Sequence, residues 1–450
     1  MTSVDQCHSY AVVTLLSLII VPLTLSQDTR RQYGVSDTDT DTETETVVNC
    51  PSSSSSSQAC TCSVDLVVRC QGQKVTHVPQ FSPEVVDHVF AELNMVDANV
   101  RKLLPVDFLG LRVQRVVLTG NQLSDGLSDY VFSNLGNHLT SLMLGACAIR
   151  TLPPRLLVDL IQLEVLHLWS NHIEFLPNSF FIGNSELREL SLWGNRLQTI
   201  RNHTFHGLFQ LRSLDLDRNQ ITTLEQRALS HVSDALEVLR LSRNHISALS
   251  DLNFTDLRQL RVLTLASNRL RFIDARTFVG LYRLQTLYLA NNRIQFLADG
   301  AFQHLVQLRI LDLSGNRLER VWAGTFVGLH SLASVDLSRN HLSRLPEATF
   351  SQSPVLRRLI VEDNWLTTLG RCSLSSSARI RSISLIGNVI ECDCRVVWIG
   401  QLDKSTTVLG NCVPDDKFGQ HVVSLLPVYK TSSHIDHHFC ALNTHHPCLL

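Results

Sequence analysis

One unit, returning about every 24 residues, decides what this chain can become. Residues 262–270 (Val-Leu-Thr-Leu-Ala-Ser-Asn-Arg-Leu) recur as 286–294 and 310–318 with the same Leu-x-Leu-x-x-Asn-x-Leu/Ile spacing. With the asparagine as landmark, the frame runs through Ala98, Asn121, Cys147, Asn171, Asn195, Asn219, Asn244, Asn268, Asn292, Asn316, Asn340, Asn364 and Asn388. The intervals are 23, 26, 24, 24, 24 and 25, then six of 24. Apolar residues stand five and three before each landmark and two after it, as in Leu166, Leu168, Asn171 and Ile173. Ten residues after many landmarks comes a phenylalanine: Phe108, Phe181, Phe205, Phe254, Phe278, Phe302, Phe326 and Phe350.

The alternation before the landmark is that of a short strand buried on one face. The asparagine turns the chain, and its amide can satisfy backbone groups left unpaired by the turn. The phenylalanine closes the back of the coil. No single coil can bury its own core, so stability is a sum over neighbours and the ends must be capped. A length of 450 residues would otherwise suggest about three domains; the repeat replaces that division with one solenoid. The predicted fold class is an α/β solenoid. It is a horseshoe with a curved parallel sheet of about thirteen strands on the concave face, irregular or 3₁₀ segments outside, and a disulfide-bonded cap at each end. At Cys147 the amide is lost, and a small reduced core thiol is expected there.

Eight of the twelve cysteines bracket the repeats, with Cys50, Cys60, Cys62 and Cys70 before them and Cys392, Cys394, Cys412 and Cys440 after; Cys7, Cys147, Cys372 and Cys448 stand alone. Such clusters imply disulfides in an oxidising compartment. Two zinc sites are the alternative, disfavoured by the Cys-x-Cys spacing. Cys372 and Cys448 could pair with each other, or Cys448 could bridge to another chain. Residues 11–26 form an apolar run ending in Thr24 and Ser26 at −3 and −1 of a cleavage site before Gln27, as in a secretory signal peptide. The first ten residues carry Asp5 and no Lys or Arg, so an uncleaved anchor is the alternative. The run is short for a span of ~20 residues, and no later segment is long and apolar enough to cross a bilayer.

The chain therefore divides into a signal segment (1–26), an acidic Thr-rich segment (27–49), a Cys-rich cap (50–80), about 12–13 repeats (81–387), a second Cys-rich cap (388–440) and a tail (441–450). Residues 27–49 are too polar to offset their ordering entropy and should be disordered. They read as a solvated tail, an O-glycosylated stalk, or an acidic arm for a basic partner. The run 52–57 is a serine insert, expected to be a flexible loop.

Chemistry is sparse. Formal net charge is −2 with no basic cluster along the sequence, so the footprint of a nucleic-acid binder is missing. There is no phosphate loop, no Gly-x-Ser-x-Gly elbow and no His-Glu-x-x-His, so no catalytic residue, cofactor or metal site is assigned. The His-rich tail (His434, His437, His438, His445, His446) reads as solvated, with a metal site as the alternative.

What remains is the open side of the strands, at six, four and two residues before each landmark. Trp169 and Trp193 share a column in adjacent coils, ~4.8 Å apart along the sheet. Exposed aromatics flanked by charges are the composition of a binding hot spot. The predicted partner-binding residues are Val117, Met143, His167, Trp169, Trp193, Asp215, Asp217, Arg240 and Tyr288. The competing reading is that the two tryptophans only pack. Two N-glycosylation sequons, at Asn202 and Asn253, fall seven and nine residues after their landmarks, on the convex side.

The unit Leu-x-x-Leu-x-Leu-x-x-Asn-x-Leu-x-x-Leu and its 24-residue period resemble the extracellular leucine-rich repeat family. Cys50 to Cys70 resembles that family's N-terminal cap, although the serine run lengthens the first gap. Asn388 to Cys394, with Trp398, Cys412 and Cys440, is similar to the C-terminal cap of Slit, Nogo-receptor and Toll-like ectodomains. The resemblance implies pairings Cys50–Cys62, Cys60–Cys70, Cys392–Cys412 and Cys394–Cys440. It also implies a secreted, non-enzymatic protein that recognises an extracellular or cell-surface protein through its concave face, in adhesion, signalling or innate immunity. The alternatives are an extracellular-matrix component or the truncated ectodomain of a leucine-rich repeat membrane receptor. The oligomeric state is left open.

Overall fold

A computed structural model describes residues 60–79 except 64, 89–374 except 125, 380–391 and, towards the C-terminus, 396, 398–399, 402–403, 405–413 and the backbone of 423–424. The expectations for the signal segment, the Thr-rich segment, the serine run and the His-rich tail lie outside these residues. So do those for Cys50, Cys392, Cys394, Cys440 and Cys448. The described residues all belong to one compact unit.

Thirteen strands, from Val89–Asn94 to Ser382–Ser384, each precede one landmark and pair in parallel with the next in strict order. An antiparallel pair, Cys60–Cys62 with Val67–Cys70, begins the sheet, and Thr407–Leu409 ends it, for sixteen strands in all. Cys60 opposes Cys70 in register, and the two are joined by a disulfide of S–S 2.03 Å. Cys62, Cys372 and Cys412 are also disulfide-bonded; no partner sulfur for them stands among the described residues. Trp398 donates its indole N–H to the Leu369 carbonyl (2.9 Å), tying the C-terminal segment to the last coils.

On the far side, the described residues form short 3₁₀ turns such as Pro105–Phe108 and Ser230–Val232, and no α-helix. None of their helices is long and apolar enough to cross a membrane. The phenylalanines stack as a spine. Phe254, Phe278, Phe302, Phe326 and Phe350 follow one another at 6.4, 6.0, 5.9 and 5.0 Å between ring centres. Leu263, Leu265 and Leu270 are fully buried, each contributing about 1.5–3 kcal/mol.

The asparagines act as expected of a turn brace. The Asn268 amide donates to the carbonyls of Leu241 (2.8 Å) and Leu265 (3.0 Å), and its oxygen accepts the Ile246 N–H (3.0 Å). At Cys147 the substitution is divided between two groups. The thiol donates to the Leu118 carbonyl (3.0 Å), which an asparagine amide would reach. The Leu123 N–H, with no side-chain oxygen to meet, bonds to the Cys147 backbone carbonyl (2.8 Å). Burial pushes the Cys147 thiol up to about 11, so it stays a protonated donor.

The residue before the landmark adopts positive φ in all thirteen coils, between 50° at Asp363 and 81° at Gly120. Only four of the thirteen are glycine: Gly120, Gly194, Gly315 and Gly387. Elsewhere an L side chain sits in the left-handed region at a local cost of about 1–2 kcal/mol, held there in seven of these nine coils by the hydrogen bonds that the landmark asparagine makes across coils; Asp97 and Ala146 precede Ala98 and Cys147 instead.

Candidate protein-binding face

Parallel register sets the open face residue by residue. Val117, Met143, His167, Ser191, Asp215, Arg240, Thr264, Tyr288, Asp312 and Asp336 lie side by side across consecutive strands. Two residues on, Trp169 and Trp193 are likewise neighbours: Ala146 N–H donates to the Trp169 carbonyl (2.8 Å) and Ser170 N–H to the Trp193 carbonyl (2.7 Å).

The two indoles do not stack on each other among the described ring contacts. Trp169 lies over Gly145, where any Cβ would fall 2.3 Å from its Cε2. Trp193 carries the Arg218 guanidinium over its ring at 5.1 Å, a cation–π contact of about 0.5–1 kcal/mol at an exposed site. Both remain half-buried, so each is fixed on one side and open on the other.

Beside them is a charged group that burial makes unusual. His167 Nε2 stands 3.0 Å from Glu189 Oε1 and holds that carboxyl below its usual range, against partial burial. Asp215 Oδ1 accepts the Asp217 N–H (3.0 Å), and Asp217 Oδ1 accepts the Ser242 N–H and, at 3.5 Å, the Thr264 hydroxyl. Burial raises the Asp215 carboxyl. Burial and the adjacent Asp215 together push Asp217 up to about 7. Among the described residues no cation comes within ion-pair distance of either carboxylate.

The structure thus brings Met143, His167, Trp169, Trp193, Asp215, Asp217 and Arg240 together on one surface. Val117 occupies its column but is only 8 % exposed, too covered to contact a partner, and is withdrawn from the set. Tyr288 stands two strands beyond Arg240, facing Asp312 in register, where burial and that carboxylate raise its phenol. It belongs with a second acidic group, Asp312 and Asp336, rather than with the tryptophans. Sequence reading missed Gly145 and Arg218, which seat the indoles, and Glu189, which pairs with His167. Glu189 stands in one of the three outward columns and was legible; the other two act through contacts between coils.

Two features lie elsewhere. Trp322 and Trp365, 43 and 60 % exposed, border a recess of about 600 Å³ beside His341. On the outer side His203 Nδ1 and His231 Nε2 are 2.7 Å apart, with the His206 ring centre 4.7 Å from that of His231. No group of His, Cys, Asp or Glu among the described residues is arranged to hold a metal. Of the two sequons, Asn202 is exposed. Asn253 is 5 % exposed, with its amide nitrogen donating to the carbonyls of Leu224 (3.2 Å) and Glu225 (3.3 Å). It is therefore not on the accessible convex surface, contrary to expectation.

A leucine rich repeat family profile matches residues 161–221, 185–234, 234–294 and 282–342. None of the curated protein sequences compared matches the chain. Among solved structures, the chain is similar to that of a TLR13–ssRNA13 complex, with 22 % identity, a TM-score of 0.59 and coverage of 72 % of this chain and 51 % of that one. It is similar to Toll in the Drosophila Toll–Spatzle complex, with 22 % identity, a TM-score of 0.57 and coverage of 75 and 50 %. A Leptospira interrogans LRR protein matches with 23 % identity, a TM-score of 0.55 and coverage of 74 and 87 %. The chain spans about half the length of the TLR13 and Toll chains. Repeat frame, ordered parallel strands and these likenesses agree: residues 161–342 match leucine rich repeats, and the chain is wound as a parallel-strand solenoid of that fold, similar to TLR13 and Toll.

Proposed function

We propose that this is a secreted, non-enzymatic recognition protein that binds an extracellular or cell-surface protein on the open face of its main sheet. The observation that carries the reading is the juxtaposition of two half-open indoles with the half-buried Asp215–Asp217 pair, whose carboxylates feel Arg240 on the next strand but have no cation in ion-pair contact among the described residues. A partner's lysine or arginine inserted there would recover the electrostatic energy that burial withholds, while the indoles supply apolar area at small entropic cost. His167, Glu189 and Arg240 would frame the contact.

The extracellular placement is supported by the cysteine chemistry: five of the six described cysteines are disulfide-bonded, and Cys147 alone is free. The signal segment 1–26, the cap pairings Cys50–Cys62, Cys392–Cys412 and Cys394–Cys440, and the domain limits are part of the same reading. Toll is solved with Spatzle bound, which makes a protein ligand a natural expectation here. The test is capture of partners from extracellular fluid or cell surfaces by the full chain and by a Trp169→Ala/Trp193→Ala variant. Losing both indoles should cost more than ~2 kcal/mol of binding without unfolding the chain. An identified partner bound equally by both would sink the assignment of this face.

A further inference from the structure

Seven consecutive coils place an arginine next to the landmark asparagine: Arg196, Arg218, Arg243, Arg269, Arg293, Arg317 and Arg339. All seven are exposed. Their backbones are fixed from coil to coil. Arg243 N–H donates to the Ala266 carbonyl and Arg339 N–H to that of Glu362, both at 2.8 Å, while Arg269 N–H (2.8 Å) and Arg317 N–H (2.9 Å) donate to Ile246 and Ile294 of the coils before them. Arg218, Arg243 and Arg339 precede their landmark and the other four follow it; with one coil per strand at ~4.8 Å, the two positions together make a ladder roughly 30 Å long at the edge of the main sheet. Only Arg339 has a carboxylate within reach among the described residues, Asp363 at 3.7 Å. The sequence hides this feature, because residues 24 apart never look like a basic cluster.

We propose that this edge binds a linear sulfated polysaccharide. Every cation in the array is arginine: no lysine occurs between Lys102 and Lys404. A guanidinium presents a planar fork that meets sulfate oxygens two at a time, where an ammonium offers a point charge. The ligand must be narrow, because the adjoining open face carries Asp215, Asp217, Asp312 and Asp336, which repel a broad polyanion such as a duplex. It must also be bound chiefly through its anionic groups. Across the landmark from the first six arginines stand Gly194, Gln220, His245, Ser267, Asn291 and Gly315; only His245 among them carries a ring, so there is no series of rings on which nucleobases could stack. The ladder ends at His341 and Trp365, stacked at 4.6 Å with planes 13° apart, a flat apolar platform for the C–H face of one terminal sugar ring. Arg218, which lies over Trp193, is the rung shared with the tryptophan patch; Arg243 to Arg339 lie in the coils beyond it, so binding along them does not depend on the protein partner proposed above.

The test uses the full secreted chain on immobilised heparin, with fully desulfated heparin and a single-stranded oligonucleotide of matched charge as competitors. Four rungs are removed together as Arg243→Gln, Arg269→Gln, Arg293→Gln and Arg317→Gln. These exposed positions leave the core intact, which circular dichroism checks. Heparin affinity should fall at least tenfold, and the slope of log K against log salt should shrink by roughly one per arginine lost. The double-tryptophan variant should bind heparin as wild type does, which separates this failure from that of the protein-binding face. Equal heparin binding by the four-arginine variant, no heparin binding by the wild type, or stronger competition by the oligonucleotide than by heparin would each overturn the proposal.

Discussion

The indole of Trp169 rests on the backbone of Gly145, one coil away, so closely that no side chain fits between them. Gly145→Ala therefore forces the ring off its seat. The expected cost is about 1–3 kcal/mol of stability from overpacking, with a red shift in tryptophan emission as the ring meets water. Partner binding should weaken about as much as in Trp169→Ala. If emission and affinity are unchanged, the indole is not seated by Gly145.

That pair also marks how far sequence carries. The fold was readable because the signal is periodic: Leu166, Leu168, Asn171 and Ile173 point inward for reasons local to their own coil. The column that holds Trp169 and Trp193 was readable for the same reason. What failed were properties that depend on the neighbouring coil. Val117 is in an outward column yet covered, Asn253 follows a sequon yet spends its amide on Leu224 and Glu225, and Arg218 reaches Trp193 from the following coil. The left-handed turn before each landmark escaped notice because nine of its thirteen residues are not glycine.

That turn yields a stability prediction. Ser267 has φ 57° immediately before Asn268. Ser267→Gly should stabilise the chain by up to about 1 kcal/mol, as relief of the left-handed penalty outweighs the added freedom of the unfolded chain. Asn268→Ala should cost roughly 2–4 kcal/mol, because it abandons two buried carbonyls and the Ile246 N–H. Denaturant melts of the two variants should move in opposite directions; movement of both the same way would contradict this account of the turn.

Asp217 gives a pH dependence of definite sign. Its carboxyl is raised from 3.8 to about 7 in the folded chain, so the folded state holds the proton more tightly than the unfolded one. Its contribution to stability is complete below about pH 3.8 and fades as the pH rises through about 7. Asp217→Asn keeps an oxygen for the Ser242 N–H and never ionises. Its melting temperature should exceed that of the wild type at pH 8, by an amount equivalent to roughly 1–3 kcal/mol, and the margin should shrink toward pH 4. A margin independent of pH would show that the carboxyl is not held protonated by its surroundings.

The two sequons should behave differently in a secreted protein. At Asn202 the side chain is exposed, and its oxygen accepts the His203 N–H (3.0 Å), leaving the amide nitrogen turned to solvent. At Asn253 the nitrogen faces the preceding coil and its oxygen accepts the Ser250 N–H (2.7 Å). A sugar on that nitrogen would displace both carbonyl contacts and push a polar chain into packed backbone, which the fold cannot absorb without opening the coil. Expressed through the secretory pathway, the protein should therefore lose the mass of one glycan on enzymatic deglycosylation. Asn202→Gln should abolish the shift with little change in stability, whereas Asn253→Gln should leave the shift in place and cost roughly 1–3 kcal/mol through the unpaired carbonyls. Two glycans on the folded, secreted chain would mean that the coil around Asn253 is open where the structure shows it closed.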